Sequence, residues 1–182
     1  MLLGYHTNGL QNHRLGDGLQ LLAEHGYRAV AITPDTCHLD PAHTGDDELD
    51  QLGEQLKSLR LHPVMETGAR YLLDPKVKHE PTLMTADPAG RERRVAFYGR
   101  IAEMGRKLGA EVVSFWAGVD RSPGADSGSR LIRGVAAACA AIREHGLRPS
   151  FEPEPGMAVE TLGHYERLRD ELGDEAPELT LD

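Results

Sequence analysis

The chain has 182 residues, which is enough for one ordinary domain and too few for two. Hydrophobic residues make up 40% and charged residues 27%, a globular rather than a disordered balance. The excess of 29 acidic over 20 basic residues argues against a nucleic-acid partner, because phosphate backbones attract basic surfaces. No apolar run reaches the roughly 18 residues of a membrane span, and no signal peptide is recognisable at the N-terminus. We therefore expect a soluble, cytoplasmic protein without a membrane partner, and with two reduced cysteines.

Short apolar runs alternate with longer amphipathic runs along the whole chain. The predicted strands cover residues 2–5, 27–33, 61–65, 111–116, 147–151 and 178–181. Between them, apolar residues recur at helical spacing in five segments, and three of these segments end at Gly26, Gly109 and Gly146. Pro63 weakens the third strand, because proline lacks a ladder donor, and the long loop after residue 70 has a length typical of functional or disordered segments. The alternation predicts an α/β fold with a parallel sheet.

Polar and aromatic side chains follow nearly every predicted strand, whereas no GxGxxG or P-loop fingerprint is present. They are His6, Asn8, Asp35, His38, Glu66, Arg70, Trp116, Glu152, Glu154 and Asp182. Eightfold barrels assemble their active sites from the carboxyl ends of several strands, whereas an open sheet uses one switch point. The sequence therefore predicts a (β/α)8 TIM barrel over residues 1–182 as one partial domain. Because a barrel closes with eight strands and this chain supplies six strands and five helices, we expect it to be truncated relative to its natural gene product.

Residues 149–156, PSFEPEPG, resemble the fifth-strand signature of the xylose-isomerase-like TIM barrels, which include sugar phosphate isomerases and epimerases. Residues 178–182, ELTLD, resemble the sixth strand of the same superfamily. Residues 4–33 and 66–83 resemble a bacterial subgroup, some of whose members are associated with metabolite traffic. The individual motifs are short, so their order and spacing over essentially the whole chain carry the resemblance.

The resemblance implies a divalent-metal site that Glu152 and Asp182 help to form. Mn²⁺, Mg²⁺ or Co²⁺ would suit a carboxylate-rich site of this kind, and Zn²⁺ is an alternative. Glu152 would also act as a catalytic residue that moves a proton next to a carbonyl. Glu154 competes for this role, and both glutamates could instead be solvated loop acids. The remaining His and Glu ligands of the superfamily would lie beyond Asp182, so we expect this fragment to be inactive.

Six further residues are candidates for binding a small-molecule substrate: His6, Asn8, His38, Glu66, Arg70 and Trp116. Each has an ordinary structural alternative, such as a helix-entry turn, a solvated loop, a capping contact or a rim aromatic. Arg70, Lys78 and His79 are also the cationic candidates for binding a substrate phosphate or carboxylate, although the run that contains Lys78 and His79 could instead be an exposed charge run.

The resulting prediction is a metal-dependent isomerase or epimerase acting on a sugar, sugar phosphate or cyclitol. A non-catalytic metabolite-binding barrel is the main alternative. A phosphodiesterase related to apurinic-site endonucleases is disfavoured, because such enzymes bind DNA and this chain carries a net charge of −9. The sequence leaves open whether the protein forms a homodimer.

Overall fold

Six parallel strands form one sheet in the computed structural model, which describes residues 1–181. The expected metal ligand Asp182 lies outside the described residues. The strands are β1 Gly4–His6, β2 Ala29–Ile32, β3 His62–Glu66, β4 Val112–Phe115, β5 Arg148–Phe151 and β6 Glu178–Leu179. Their order in the sheet follows the chain from β1 to β6 without a reversal. This winding is that of a barrel wall, since a doubly wound sheet reverses its order at a switch point.

Five α-helices connect the strands: α1 Leu15–Glu24, α2 Asp46–Leu59, α3 Pro88–Leu108, α4 Ser127–Arg143 and α5 Leu162–Leu172. The fold is therefore an incomplete TIM barrel, as the alternating pattern predicts. Helix α3 begins well before Phe97, the first residue of the apolar stripe that predicts it, because the Asp87 carboxylate caps its first turn and Pro88 fits the first helical position. Among residues 1–181, no helix combines the length and apolar character needed to cross a bilayer.

Alternation along the strands separates a packed face from an open face. Val30 and Ile32 are fully buried and join the apolar cluster beneath the helices, whereas Ala29 and Ala31 are half-buried on the other face. Met65 of β3 and Val113 of β4 continue the packed face. The open face is the inner wall of the incomplete barrel.

Both strand prolines occupy positions where a missing N–H group costs little. Pro63 in β3 pairs in register with Val30, and pairing between β3 and β4 begins only at Met65. Pro149 in β5 likewise precedes the first residue that pairs with β6, Ser150. The nitrogen of each proline therefore faces the next strand at a position where the two strands are not yet hydrogen-bonded. The third strand consequently forms despite its proline.

The long segment between β3 and α3, residues 67–87, is an ordered loop, here called the β3–α3 loop. Its residues Leu83 and Met84 are almost completely buried in the main apolar cluster. Gly118, after β4, has a φ of 95°, and a Cβ atom there would overlap the side chain of Thr82. The Gly118 carbonyl also accepts a hydrogen bond from the Ala158 N–H at 3.0 Å. The loops after β3, β4 and β5 are therefore packed together at the carboxyl ends of the strands.

Candidate functional site

A cavity of about 590 Å³ occupies the inner face of the sheet. The polar side chains among its lining residues are His6, Asn8, Glu66, Ser114, Glu152 and Thr180. A groove of about 650 Å³ also lies on the outer surface between α4 and α5. We favour the inner cavity as the functional site, because side chains from all six strands or strand ends converge on it, as in barrel active sites.

The Glu66 carboxylate, at the end of β3, is held by residues that follow two other strands. The Asn8 side-chain amide donates to both carboxylate oxygens at 3.3 Å. The Thr33 hydroxyl, directly after β2, donates to Oε2 of Glu66. The Thr33 N–H in turn donates to the Thr7 hydroxyl at 3.0 Å, which ties the ends of β1 and β2 together. Glu66 is therefore an oriented carboxylate at the cavity wall.

The side-chain oxygen of Asn8 contacts a cation, the guanidinium of Arg70. Arg70 donates through Nη2 to the Asn8 side-chain oxygen, and its Nη1 forms an ion pair with the Asp35 carboxylate at 3.2 Å. The side chains of Arg70 and Asp35 are 26% and 13% exposed, so this pair is partly shielded from solvent. A continuous chain of contacts thus runs from Asp35 through Arg70 and Asn8 to Glu66. Both terminal nitrogens of the Arg70 guanidinium take part in it.

Hydroxyl groups line the opposite half of the sheet. Thr180 Oγ1 lies 2.9 Å from the Ser114 hydroxyl and 2.7 Å from the Ser150 hydroxyl, so the three hydroxyls connect β4, β5 and the chain after β6. Above them, Glu152 follows β5 directly, and its N–H donates to the Phe115 carbonyl at 2.9 Å. Glu152 is half-buried and lines the cavity. Among residues 1–181, Glu154 is not one of those that line the cavity. Its N–H donates to the Val159 carbonyl at 3.1 Å within its own loop.

Trp116 lies behind the strand ends rather than on the cavity wall. Its indole ring is 8% exposed and lies under the guanidinium of Arg94, 4.7 Å from the ring centroid. Arg94 is fully buried; it donates to the Thr67 carbonyl at 2.8 Å and to the Tyr98 hydroxyl at 2.9 Å. Its Nη1 atom has no hydrogen-bond partner among the described residues. The imidazole of His79 meets the same indole edge-on at 5.2 Å.

Burial and nearby cations shape the titration of these groups. Burial, opposed by the hydrogen bond to the Gly68 carbonyl, holds the pKa of His79 below its usual value, and the positive charge of Lys78 adds to the lowering. Burial also raises the pKa of the Tyr98 hydroxyl, which is the acceptor for Arg94. His79 is therefore neutral near pH 7, and Tyr98 stays protonated.

His38, like Trp116, is a candidate that the structure places away from the cavity. Its imidazole is 3% exposed, and Nε2 lies 2.8 Å from the His13 carbonyl oxygen, in a separate recess between α1 and α2. The backbone folds back here because Asp35 and His38 exchange two hydrogen bonds, at 2.7 and 3.1 Å, and Leu39 has a φ of 59°. His6 remains exposed at the cavity, with its ring stacked on Tyr5 at 5.3 Å.

The described residues offer a divalent metal two carboxylates on the cavity wall, Glu66 and Glu152. A carboxylate oxygen on a cavity wall is the donor type that such cations take. The Glu66 carboxylate also accepts hydrogen bonds from Asn8 and Thr33. Within residues 1–181, no three His, Cys, Asp or Glu side chains are grouped closely enough to hold a metal ion.

Several residues of this site escaped the sequence analysis. Thr33 contacts the candidate residue Glu66, and Ser114 and Thr180 line the cavity. Period-two alternation in β4 and β5 does signal that Ser114 and Glu152 share the inner face with Ser150. Nothing local signals that Arg94, on the following helix, packs against Trp116.

Comparison with solved structures gives the same fold at low identity. D-psicose 3-epimerase, determined in the presence of D-fructose, is 15% identical with a TM-score of 0.75, over 98% of this chain and 62% of that one. The probable 3-DHS dehydratase AsbF from Bacillus anthracis is 14% identical with a TM-score of 0.76, over 100% and 63%. The IolI protein with a bound zinc atom is 16% identical with a TM-score of 0.73, over 100% and 62%.

The chain thus spans less than two thirds of the length of these three structures. No curated protein sequence matches it at a significant level. A family model described as xylose isomerase-like TIM barrel matches residues 19–182, which is most of the chain. The protein therefore belongs to the xylose isomerase-like TIM barrel family.

Proposed function

We propose that the protein is a divalent-metal-dependent isomerase or epimerase that acts on a sugar, sugar phosphate or cyclitol. The observation that carries the proposal is the cavity at the strand ends, where the carboxylates Glu66 and Glu152 face one space together with an imidazole, an amide and two hydroxyls. Hydrogen-bonding groups of this density suit a polyhydroxylated molecule. The D-psicose 3-epimerase structure, which was determined in the presence of D-fructose, supports the same class of substrate.

In this proposal Glu152 and Asp182 hold the metal, and the cavity groups hold the substrate. A divalent cation bound there supplies a Lewis acid next to the substrate carbonyl. Glu152 accepts the proton from the carbon beside the carbonyl. Its return by Glu152 to the former carbonyl carbon, with the hydroxyl proton passing to the carbonyl oxygen, completes isomerisation, whereas epimerisation requires a second acid that delivers a proton to the opposite face of the same carbon. Glu66, His6 and the hydroxyls of Ser114 and Thr180 orient the substrate by hydrogen bonds.

Metal binding is the first test, by calorimetry with Mn²⁺ and Zn²⁺ on the 182-residue chain and on the full product of its gene. We expect Glu152→Gln to abolish or strongly weaken binding, because an amide oxygen is a weaker ligand than a carboxylate. Glu154→Gln is the matched control: it lies in the same loop and should bind metal like the wild type. Equal binding by both variants would remove Glu152 from the site.

Proton transfer is the second test, on the full product of the gene and its variants. D-Fructose incubated with it in D₂O should acquire deuterium at the carbon beside its carbonyl, as detected by NMR, with wild type and Glu154→Gln but not with Glu152→Gln. Sugar binding without exchange by the full product would favour the alternative, a metabolite-binding barrel without turnover. Absence of both metal and sugar binding would refute the metalloenzyme proposal.

A further inference from the structure

Arg70 was a candidate for binding a substrate anion, yet its contacts within the site are of another kind. Its guanidinium pairs with the Asp35 carboxylate at 3.2 Å and donates to the side-chain oxygen of Asn8. We propose that Asp35, Arg70 and Asn8 are positioning residues, which hold Glu66 as an acceptor for the hydroxyl groups of a neutral sugar or cyclitol. This inference rests on the proposed function for its substrate class, but its contacts are independent of that function.

The side-chain amide of Asn8 has a donor end and an acceptor end, and each meets a different partner in this chain of contacts. It donates from Nδ2 to both oxygens of Glu66, at 3.3 Å, and accepts at Oδ1 from Arg70. Turning the amide over would face its oxygen to a carboxylate and its NH₂ group to a guanidinium, and both contacts would then be repulsive. Arg70 therefore fixes which end of Asn8 meets Glu66, and Asp35 fixes Arg70.

The charge of Arg70 is already compensated where it stands. An incoming phosphate or carboxylate would have to displace the Asp35 carboxylate from a partly shielded ion pair, whose side chains are 26% and 13% exposed. Among the described residues that line the cavity there is no lysine or arginine. The wall near β3 therefore presents an acceptor rather than a cation.

Glu66 retains acceptor capacity for a ligand. An ionised carboxylate has about four lone-pair sites, and the Asn8 amide and the Thr33 hydroxyl approach from the protein side. Because Glu66 is half-buried and lines the cavity, the remaining sites face the space where a substrate would lie. Hydroxyl groups of a sugar or cyclitol are the donors that match them.

The chain of contacts is tested first without any ligand, by NMR of the side-chain amide of Asn8 in the 182-residue protein. We expect two well-separated amide proton signals with slowed solvent exchange in the wild type. Arg70→Ala and Asp35→Asn should move these signals toward those of a free asparagine, whereas Lys78→Ala, which removes an exposed cation of the same loop, should not. Free-asparagine signals in the wild type would overturn the positioning role, whatever the substrate is.

The role of this chain of contacts is tested second. D-Fructose and D-fructose 6-phosphate are the probes, and the dissociation constant is the readout. Loss of a hydrogen bond to a charged group weakens binding by about tenfold or more. We expect Glu66→Gln and Arg70→Ala each to weaken both probes to that extent, and the double variant to be no weaker than either single variant, because both remove the same contact. Arg70→Lys should resemble Arg70→Ala, since one ammonium group does not reproduce two divergent contacts.

An anion site at Arg70 would give a different result. Arg70→Ala would then weaken the binding of D-fructose 6-phosphate only, and Arg70→Lys would retain part of the affinity for that probe. The effects of the Arg70 and Glu66 substitutions on binding would add. That result overturns the inference but leaves the proposed isomerase in place. Failure of the wild type to bind either sugar would instead refute the proposed substrate class, while the asparagine signals still decide whether the positioning chain exists. Urea unfolding curves of each variant show whether it is folded.

Discussion

Replacing Arg94 tests what a fully buried guanidinium contributes to this fold. The side chain is fully buried, donates to the Thr67 carbonyl and the Tyr98 hydroxyl, and stacks on the indole of Trp116. Arg94→Met keeps most of the stem and removes the charge, whereas Arg94→Lys keeps the charge and removes the planar group. The two variants therefore separate the charge from the shape.

The expected magnitudes follow from what each variant leaves behind. Arg94→Met loses two charged hydrogen bonds, worth about 3–6 kcal/mol together, and ring stacking worth about 1–2 kcal/mol. It also removes a desolvated cation, which costs several kcal/mol to bury, and the orphan Nη1 atom, and these two costs come to about 5 kcal/mol in the wild type. We therefore expect a loss of only about 1 kcal/mol in the free energy of unfolding. Arg94→Lys keeps the buried charge but loses the stacking and one of the two donors, so a loss of about 3 kcal/mol is expected.

Urea unfolding measures both variants with a reporter already in place, since Trp116 is the only tryptophan of the chain. Its fluorescence should change in Arg94→Met even in the folded state, because the guanidinium no longer covers the ring. The order of stability should be wild type, then Met, then Lys. If Arg94→Lys proves more stable than Arg94→Met, the positive charge itself stabilises the fold, and the cost assigned to burying it is wrong.

Three further predictions concern single residues. Because burial lowers the pKa of His79, the unfolded chain binds a proton more readily; the contribution of His79 to stability is therefore full above about pH 6.5 and is lost as the pH falls below it. The unfolding free energy of His79→Gln should accordingly depend less on pH than that of the wild type over this window. Gly118→Ala should cost about 3 kcal/mol in urea unfolding, because a Cβ there overlaps the β3–α3 loop, whereas Gly26→Ala, which has a similar φ of 85° and open space, should cost about 1 kcal/mol. Burial raises the pKa of Cys139 to about 12, so a thiol reagent at pH 8 should modify Cys37 alone in the native protein and both cysteines in urea.

The sheet was predictable because its signals are local. Each strand–helix unit can be recognised from its own sequence alone. Its signals are an apolar run of four to seven residues, leucines at helical spacing and, after α1 and α3, a glycine. The boundaries differ where side chains override the apolar pattern. Helix α3 starts at Pro88 because Asp87 caps it, and β6 is shorter than predicted, although the Thr180 N–H still donates to the Phe151 carbonyl at 2.8 Å.

The contacts within the site were not predictable, because they join residues that are distant in sequence. Asn8 lies 58 residues from Glu66 and 62 residues from Arg70, and strand register alone brings them together. Sequence analysis places all three at strand ends but cannot tell that Arg70 is bound to its neighbours instead of facing a ligand. His38 shows the reverse case: it also follows a strand, but a tight backbone turn directs it away from the cavity.

Strand register also decides which role is open to Glu66. Glu66 lies level with Ser114 on β4, and Ser114 lies level with Ser150 on β5, two residues before Glu152. Adjacent strands are about 4.8 Å apart and each residue rises about 3.3 Å, so the backbone positions of the two glutamates are roughly 10 Å apart across the sheet and roughly 7 Å apart along it, about 12 Å in all. Two carboxylates carried on backbones that far apart can contact opposite ends of one sugar more readily than the same carbon. If Glu152 moves the proton, Glu66 is therefore better suited to hold the hydroxyl groups at the far end, which is the role that its contacts with Asn8 and Thr33 support.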